Sequence, residues 1–268
     1  MDSSFINILK NEKVHHGILR LTLDDQQNKN SLSEPMMTQL SKALAEASID
    51  NSIKVIVIAA TGNVFCSGHN LKEITDARKN NDDGEAYFLD LFNLCSSLMK
   101  MIVNCSKPVI AEVNGIATAA GCQLVASCDL AIASNISKFA TPGVNIGLFC
   151  STPMVALSRN VHKKEAMKML LTGDMINAKE AKRISLINDE VPEGDLTKSV
   201  MDLAEKIANK SSNVIKIGKE AFYRQHNLSL SDAYEFTSKV MTENTLKDDA
   251  KEGISSFLEK RDPSWSEK

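Results

Sequence analysis

The chain has 268 residues, a length that fits one large domain, or one domain with an appendage, around a core of ordinary depth. Hydrophobic residues make up 43% and charged residues 24%, as in a globular protein, and 31 basic side chains against 34 acidic ones give a net charge of −3. This balance excludes a protein that binds nucleic acid through excess positive charge. No membrane-spanning helix is expected, because no apolar run reaches the roughly 18 residues that such a helix needs.

Strands and helices alternate along the first part of the chain. Residues 5–10 and 17–23 are predicted as strands. Ser33 is a suitable N-cap for a helix, because apolar residues recur after it at helical spacing. Residues 54–60 (KVIVIAA) form a continuous apolar run, which is typical of a strand buried on both faces. A turn at 61–63 and the segment 64–68 follow this strand.

The alternation continues through the middle of the chain. A short polar helix is predicted over 70–80 and a long amphipathic helix over 85–103. Residues 108–113 and 129–134 are predicted strands on either side of an alanine- and glycine-rich helix at 118–127. This succession of strands and helices predicts an α/β fold.

Beyond residue 142 the chain is mostly helical. We place a domain boundary near residue 195, which divides the chain into a core domain (1–195) and a C-terminal helical region (196–268) that caps the core or a neighbouring subunit. The predicted helical segments are 153–161, 163–171, 178–184, 196–209, 213–225 and 230–258.

Two glycine-containing turns each follow a strand and begin a helix, at 65–72 (FCSGHNLK) and 114–123 (NGIATAAGCQ). The first N–H groups of a helix lack intrahelical partners and suit a negatively charged oxygen. Two such turns that face each other would offer a pair of amides to one carbonyl oxygen, which is an oxyanion hole. The alternative is that both are tight turns whose small residues allow close packing. From the residues alone we favour this alternative.

The cysteines indicate a reducing compartment. Six cysteines are too few for a disulfide scaffold, and without a CxxC pair or spaced histidines no zinc or other metal site is expected. The N-terminal residues show no targeting signal, so a cytoplasmic location is expected, or the mitochondrial matrix if a transit peptide was removed. The cysteines are Cys66, Cys95, Cys105, Cys122, Cys128 and Cys150.

The chain resembles the crotonase superfamily, the enoyl-CoA hydratase/isomerase family, over nearly its whole length. The resemblance implies an α/β crotonase (ClpP-like) spiral of ββα units with a C-terminal helical region, assembled as a homotrimer or a dimer of trimers. It also implies an acyl-CoA substrate in fatty-acid metabolism, with coenzyme A as part of the substrate and no tightly bound cofactor. The matching segments are 28–32, 54–74 (KVIVIAATGNVFCSGHNLKEI), 107–134 (KPVIAEVNGIATAAGCQLVASCDLAIAS), 139–148, 170–191 and 253–265.

Members of this family hold the enolate oxygen of a thioester with two backbone amides. By motif, the resemblance assigns these two catalytic positions to His69 and Ala120. It also implies that Lys29 lies near the CoA phosphates, and that Phe257 and Lys260 close over CoA, sometimes from a neighbouring subunit. The other substrate-binding positions that it implies are Ser67, Gly68, Asn70, Leu71, Lys72, Gly121 and Gln123.

The chain departs from the family at the residues for acid–base chemistry. A standard hydratase carries two glutamates, and the matching positions hold Gln123 and Gly143, neither of which can act as a general base. The acid of some family isomerases falls at Ser151. Efficient water addition by the usual mechanism is therefore not expected, although the two amide positions are retained.

These departures leave three hypotheses open. The first is an enzyme of the hydratase or isomerase type, a lyase by resemblance. The second is an acyl-CoA decarboxylase or thioesterase, because the Gly-His-Asn pattern around His69 resembles methylmalonyl-CoA decarboxylase and loss of carbon dioxide needs no strong base. The third is a non-catalytic acyl-CoA binder. The imidazole of His69 either takes part in such chemistry or only packs over its loop, and we slightly favour packing.

Overall fold

The computed structural model describes residues 7–266. Its strands are β1 (Leu9–Val14), β2 (Ile18–Leu23), β3 (Val55–Ala60), β4 (Val64–Cys66), β5 (Val109–Val113), β6 (Ile116–Thr118), β7 (Leu130–Ser134), β8 (Lys138–Ala140), β9 (Ile176–Asn177) and β10 (Asp189–Val191). Its α-helices are α1 (Glu34–Ile49), α2 (Leu71–Ala77), α3 (Glu85–Asn104), α4 (Ala120–Ser127), α5 (Ser151–Asn160), α6 (Lys163–Thr172), α7 (Ala178–Arg183), α8 (Leu196–Ala208), α9 (Ser212–Gln225), α10 (Leu230–Thr245) and α11 (Asp248–Glu259).

The strands form two sheets that the chain visits in turn. The larger sheet has the order β1-β2-β3-β5-β7-β10, and all of its neighbouring strands are parallel except β1 and β2. The smaller sheet has the order β4-β6-β8-β9, with β9 antiparallel to β8. Three successive passes of the chain, β3-β4-α2, β5-β6-α4 and β7-β8-α5, each give one strand to each sheet and then a helix. The result is a spiral of ββα units.

The strand β3 shows why its sequence is apolar throughout. Its side chains alternate between the two faces of the larger sheet. Ile56 and Ile58 belong to the main core, whereas Val55 and Val57 belong to a second core on the opposite face. The helix α8 covers that second face with Leu196, Val200, Ala204 and Ala208, which are four residues apart and therefore share one side of the helix.

Several predicted boundaries differ from the structure. The first strand lies at Leu9–Val14 instead of 5–10, and residues 1–6 are outside the described part. The predicted helical stretch 230–258 is two helices, α10 and α11. The short strands β6, β8, β9 and β10 were not predicted, because two or three residues give no periodic pattern and their hydrogen bonds go to a distant part of the chain. The boundary near residue 195 stays a prediction; α8, which follows it, packs on the larger sheet.

One helix among the described residues, α3, is long and apolar enough to cross a membrane. This is weak evidence, because the core helix of a globular protein meets the same criteria of length and composition. In this structure the side chains of Leu91, Cys95, Leu98, Met99 and Ile102 pack from α3 into the main core.

Candidate active site

The two glycine-containing turns lie side by side because their strands pair. β4 and β6 are parallel neighbours in the smaller sheet, with Cys66 opposite Ala117. The two segments that follow these strands therefore leave the sheet at the same edge. Just beyond this edge, the Thr118 hydroxyl donates a hydrogen bond to the Ser67 carbonyl over 3.1 Å. The spiral therefore brings the start of α2 and the start of α4 together. A pair of amides that face one oxygen requires this arrangement.

Two glycines allow the turns to touch. A β-carbon at Gly121 would lie 2.2 Å from the Cys66 carbonyl oxygen, well inside van der Waals contact. A β-carbon at Gly68 would lie 2.9 Å from the Ala119 β-carbon and 3.2 Å from the Ala120 nitrogen, and the φ angle of Gly68 is +93°. A larger residue at either position would push the turns apart.

The amides of His69 and Ala120 are unused. Within residues 7–266, neither of these two N–H groups donates a hydrogen bond to the protein. Other amides of the two turns are engaged: the Ser67 N–H donates to the Lys29 carbonyl over 3.2 Å, and the Ala119 N–H donates to the Ala140 carbonyl over 3.0 Å. Two adjacent donors in neighbouring turns are thus left for a ligand.

The residue before the second donor is strained. Ala119 has φ 50° and ψ −119°, a combination that glycine adopts easily and alanine does not. The ψ angle of Ala119 sets the orientation of the peptide group that carries the Ala120 N–H. This strain could not be predicted from the residues, because Ala119 adjoins a run of helix-forming residues.

Replacing Ala119 with glycine is expected to stabilise the protein by about 1 kcal/mol, since the strain at this φ angle is removed. Urea unfolding followed by circular dichroism measures the change. Ala233→Gly, at the fourth residue of α10, is the matched control, and it should destabilise by roughly 0.5–1 kcal/mol because its backbone is helical. A loss of stability in both variants would contradict the strain at Ala119.

A polar cluster anchors the loop between the first donor and α2. Asn70 caps α2 by accepting from the Lys72 N–H over 3.0 Å, and its amide group donates to Glu73 over 3.2 Å. Glu73 also accepts from the Glu34 N–H and from the Tyr87 hydroxyl, each over 3.4 Å. Burial raises the pKa of Glu73. We did not single out Glu73 from the sequence, although the spacing Asn-x-x-Glu is that of a capping box.

The two positions that the resemblance matches to the glutamates of a hydratase are Gln123 and Gly143. Gln123 is 4% exposed on α4, and its side-chain oxygen lies 3.8 Å from the Cys95 sulfur. At Gly143 a β-carbon would lie 2.8 Å from the Leu148 carbonyl oxygen and 2.9 Å from the Cys150 sulfur. The buried Cys150 thiol, whose pKa is raised by that burial, therefore fills space that a side chain at position 143 would need.

The His69 side chain packs beside its own amide. Its Nδ1 atom lies 3.2 Å from the Leu32 carbonyl oxygen, which assigns the proton of the neutral ring to Nδ1. The ring meets Phe92 edge to face, with 5.5 Å between centroids. Burial lowers the pKa of His69, and Nε2 is buried without a hydrogen-bond partner in the described part of the chain. The protein thus leaves a neutral nitrogen acceptor unused.

The remaining predicted positions divide into two groups. Leu71 and Lys72 are exposed at the start of α2, and the exposed Lys29 adjoins the same loop through its carbonyl group. Phe257 is 82% exposed and Lys260 ends α11, whose Asp249 is hydrogen-bonded to Ser211 at the N-cap of α9. No hydrogen bond or ion pair between described residues joins α11 to either turn, and the role of Phe257 and Lys260 stays a prediction.

The chain matches the family model described as enoyl-CoA hydratase/isomerase over residues 13–268. It is 50% identical over 251 residues to the Xenopus laevis protein named enoyl-CoA hydratase domain-containing protein 3, mitochondrial, covering 94% of this chain and 84% of that protein. The crystal structure of human enoyl coenzyme A hydratase domain-containing protein 3 has a TM-score of 0.91 and 46% identity, covering 96% of this chain and 100% of that one. An enoyl-CoA hydratase from Mycobacterium smegmatis has a TM-score of 0.92 and 42% identity, covering 96% and 98%. The predicted crotonase spiral with a C-terminal helical region is thereby confirmed.

Proposed function

Because the chain belongs to the enoyl-CoA hydratase/isomerase family, we propose that it binds an acyl-CoA thioester and stabilises negative charge on the thioester oxygen with the amides of His69 and Ala120. The observation that carries this proposal is the pair of unused N–H groups in two turns that touch. In this proposal Ser67, Gly68, Asn70 and Gly121 shape the turns, and the exposed Lys29 and Lys72 attract the CoA phosphates.

Removing one amide tests the proposal. Ala120→Pro deletes the second N–H at the first position of a helix, where proline is tolerated and where no hydrogen bond within the protein is lost. We expect the affinity for butyryl-CoA, measured by calorimetry, to fall about tenfold, the equivalent of one hydrogen bond.

The matched control is Lys163→Pro, which makes the same change at the exposed first position of α6. Its affinity should equal that of the wild type, and thermal unfolding monitors the fold of both variants. A folded Ala120→Pro protein that binds butyryl-CoA as tightly as the wild type would overturn the proposal.

The reaction that fits this site is one that forms an enolate without a carboxylate pair. Restoring one acid with Gln123→Glu should leave hydration of crotonyl-CoA at the level of a heat-inactivated control, because Gly143 supplies no second carboxyl. The glutamate at position 123 would be buried, so its pKa should exceed the unfolded value near 4.3.

The raised pKa has a consequence for stability. At pH values between the pKa of this glutamate in the unfolded chain and its higher pKa in the folded one, the folded variant binds more protons than the unfolded variant. The free energy of unfolding of Gln123→Glu should therefore fall as the pH rises from about 4 to 7. Urea unfolding at several pH values measures this, with the exposed Gln27→Glu as the control that shows no such slope. Hydration that rises to the rate of an ordinary hydratase would show that one carboxyl suffices.

A second candidate is decarboxylation of a malonyl-type CoA thioester. It is favoured by the filled space at Gly143 and by the unused Nε2 of His69, since loss of carbon dioxide needs charge stabilisation and no strong base. Release of carbon dioxide from a panel of malonyl-type thioesters tests it. A His69→Ala variant with an unchanged rate would exclude a role of the imidazole while leaving the backbone amide in place.

Three further parts of the proposal come from the family and the relatives. Coenzyme A enters as part of the substrate, without a tightly bound cofactor, and the process served is fatty-acid or other acyl-CoA metabolism. The assembly is a trimer or a dimer of trimers, in which Phe257 and Lys260 approach a neighbour's CoA site. The location is the mitochondrial matrix, because the names of the Xenopus laevis and human relatives include "mitochondrial" and do not support a cytoplasmic one.

A further inference from the structure

The two unused amides are oriented by different parts of the chain. A trans peptide group points its C=O and its N–H in opposite directions, so a hydrogen bond that fixes the carbonyl also fixes the N–H of the next residue. For the second amide, the Ala119 carbonyl accepts from the Gln123 N–H over 3.0 Å, a bond at the start of α4 itself. For the first amide, the Gly68 carbonyl accepts from the Leu32 N–H over 2.8 Å. The His69 amide therefore depends on a segment that is distant in the sequence.

That segment, the 28–32 loop, also contacts the residues on either side of this carbonyl. The Lys29 carbonyl accepts from the Ser67 N–H over 3.2 Å. The Nδ1 atom of His69 lies 3.2 Å from the Leu32 carbonyl oxygen. With the bond from the Leu32 N–H, the loop is joined to three successive residues of the turn. The position of the loop thus sets the direction of the first amide.

The backbone of the 28–32 loop is strained. Lys29 and Asn30 are both left-handed, with φ angles of 57° and 49°. This conformation costs free energy in residues other than glycine, although asparagine tolerates it better than most. Two such residues in succession keep their shape only if other interactions stabilise the loop.

The side chain of Asn30 supplies such interactions, and it is buried, with 1% exposure. Its Oδ1 atom accepts from the Asp25 N–H over 2.8 Å. Its Nδ2 group donates to the Thr61 carbonyl over 2.9 Å and to the Val64 carbonyl over 2.7 Å. Val64 begins the three-residue strand β4, which leads into the first turn. Asn30 therefore joins the loop to the start of β4, while Leu32 joins it to the turn beyond the end of β4.

We infer that Asn30 is a positioning residue for the first amide. It fixes the 28–32 loop, and through the Leu32 N–H and the Gly68 carbonyl it orients the His69 N–H toward the thioester oxygen. Without its three hydrogen bonds the left-handed backbone relaxes, and the amide turns with the loop. This inference rests on the proposed function, because the orientation of the amide matters only if a thioester oxygen binds there.

The test compares two ligands that differ only in the group at the two amides. Butyryl-CoA has the thioester carbonyl, and S-butyl-CoA, a thioether, has a methylene in its place. Calorimetry on the full chain gives the ratio of their affinities, which reports the hydrogen bonds to the carbonyl oxygen and cancels any effect of the loop on the rest of CoA. We expect the wild type to favour the thioester by about a hundredfold, the equivalent of two hydrogen bonds.

Asn30→Gly should lower this ratio about tenfold, the equivalent of one hydrogen bond. Glycine adopts a φ angle of 49° without strain, so the substitution removes the side-chain bonds and nothing else that holds the loop. A spectroscopic measurement accompanies the ratio. The carbon-13 resonance of a labelled thioester carbonyl moves downfield when its oxygen accepts hydrogen bonds, and this shift on binding should be smaller in Asn30→Gly than in the wild type.

The matched control is Ser137→Ala, which removes another buried hydrogen-bonding side chain. The Ser137 hydroxyl donates to the Val113 carbonyl over 3.0 Å and accepts from the Gly115 N–H over 3.1 Å. It directly precedes β8, whereas the two turns follow the carboxyl ends of β4 and β6. Ser137→Ala should therefore lose stability in urea unfolding and keep the wild-type ratio and resonance.

The outcomes separate this inference from the proposed function. A ratio that is unchanged in Asn30→Gly but lowered in Ala120→Pro, or an equal fall in Ser137→Ala, would overturn the inference while the proposed function stands. If Asn30→Gly does not fold, His69→Ala tests the same loop by removing the bond to the Leu32 carbonyl. Its ratio should fall about threefold, and an unchanged ratio would overturn the inference. Equal affinities of the wild type for the two ligands would overturn the proposed function as well.

Discussion

Gly121→Ala is expected to be the most damaging substitution in the site. The added β-carbon would lie 2.2 Å from the Cys66 carbonyl oxygen and 2.8 Å from the Cys66 carbonyl carbon, both of them backbone atoms that cannot turn away. The start of α4 must therefore separate from the end of β4, at a cost of about 3 kcal/mol or more. Because this moves the Ala120 amide away from the His69 amide, binding of butyryl-CoA should weaken by about tenfold or more.

Denaturant unfolding and calorimetry measure the two effects of Gly121→Ala. Gly218→Ala is the matched control: Gly218 lies within α9, and no atom lies within 4 Å of its would-be β-carbon. This control should gain up to about 1 kcal/mol from improved helix propensity. If Gly121→Ala proved as stable and as tight a binder as the wild type, close contact of the two turns could not be a requirement of the site.

Asp129→Ala should destabilise the protein by about 3–5 kcal/mol, because it leaves a buried ammonium group without its counter-charge. The Asp129 carboxylate accepts from Lys219 over 2.6 Å, from the Tyr223 hydroxyl over 2.8 Å and from the Val109 N–H over 2.7 Å. The side chain of Lys219 is only 7% exposed and that of Asp129 15%. These bonds are the polar anchor of α9.

The matched control for Asp129→Ala is Asp202→Ala, which breaks the exposed pair with Lys198 on α8. It should cost less than about 0.5 kcal/mol, because water screens such pairs. The double variant Asp129→Ala/Lys219→Met should recover part of the loss, since no uncompensated charge remains. Equal costs for Asp129→Ala and Asp202→Ala in urea unfolding would contradict the anchoring role.

The local pattern of the sequence was sufficient for much of the fold. The run at 54–60 predicted a doubly buried strand, and β3 has that position because α8 covers the face opposite the main core. The long helix over 85–103 and the helix capped by Ser33 were predicted for similar reasons, since both carry a continuous apolar face. The two turns were also located, although the residues alone did not reveal that they meet.

The rest depended on contacts between distant parts of the chain. Lys219 reaches Asp129 across 90 positions, and nothing near either residue in the sequence indicates this partner. The strained Ala119 donates its N–H to the Ala140 carbonyl, 21 positions away, and the Cys150 thiol beside Gly143 follows from the turn between β8 and α5. The family resemblance supplied the roles of the two amides and identified the absent acids, and the structure supplied the neighbours that now surround those positions.

A crystal structure of the chain with bound butyryl-CoA is the most direct test of the central claim. We predict that the thioester oxygen lies about 2.7–3.1 Å from both the His69 and the Ala120 nitrogen atoms. A thioester oxygen bound elsewhere, or amides that have turned toward carbonyl groups of the protein, would contradict it.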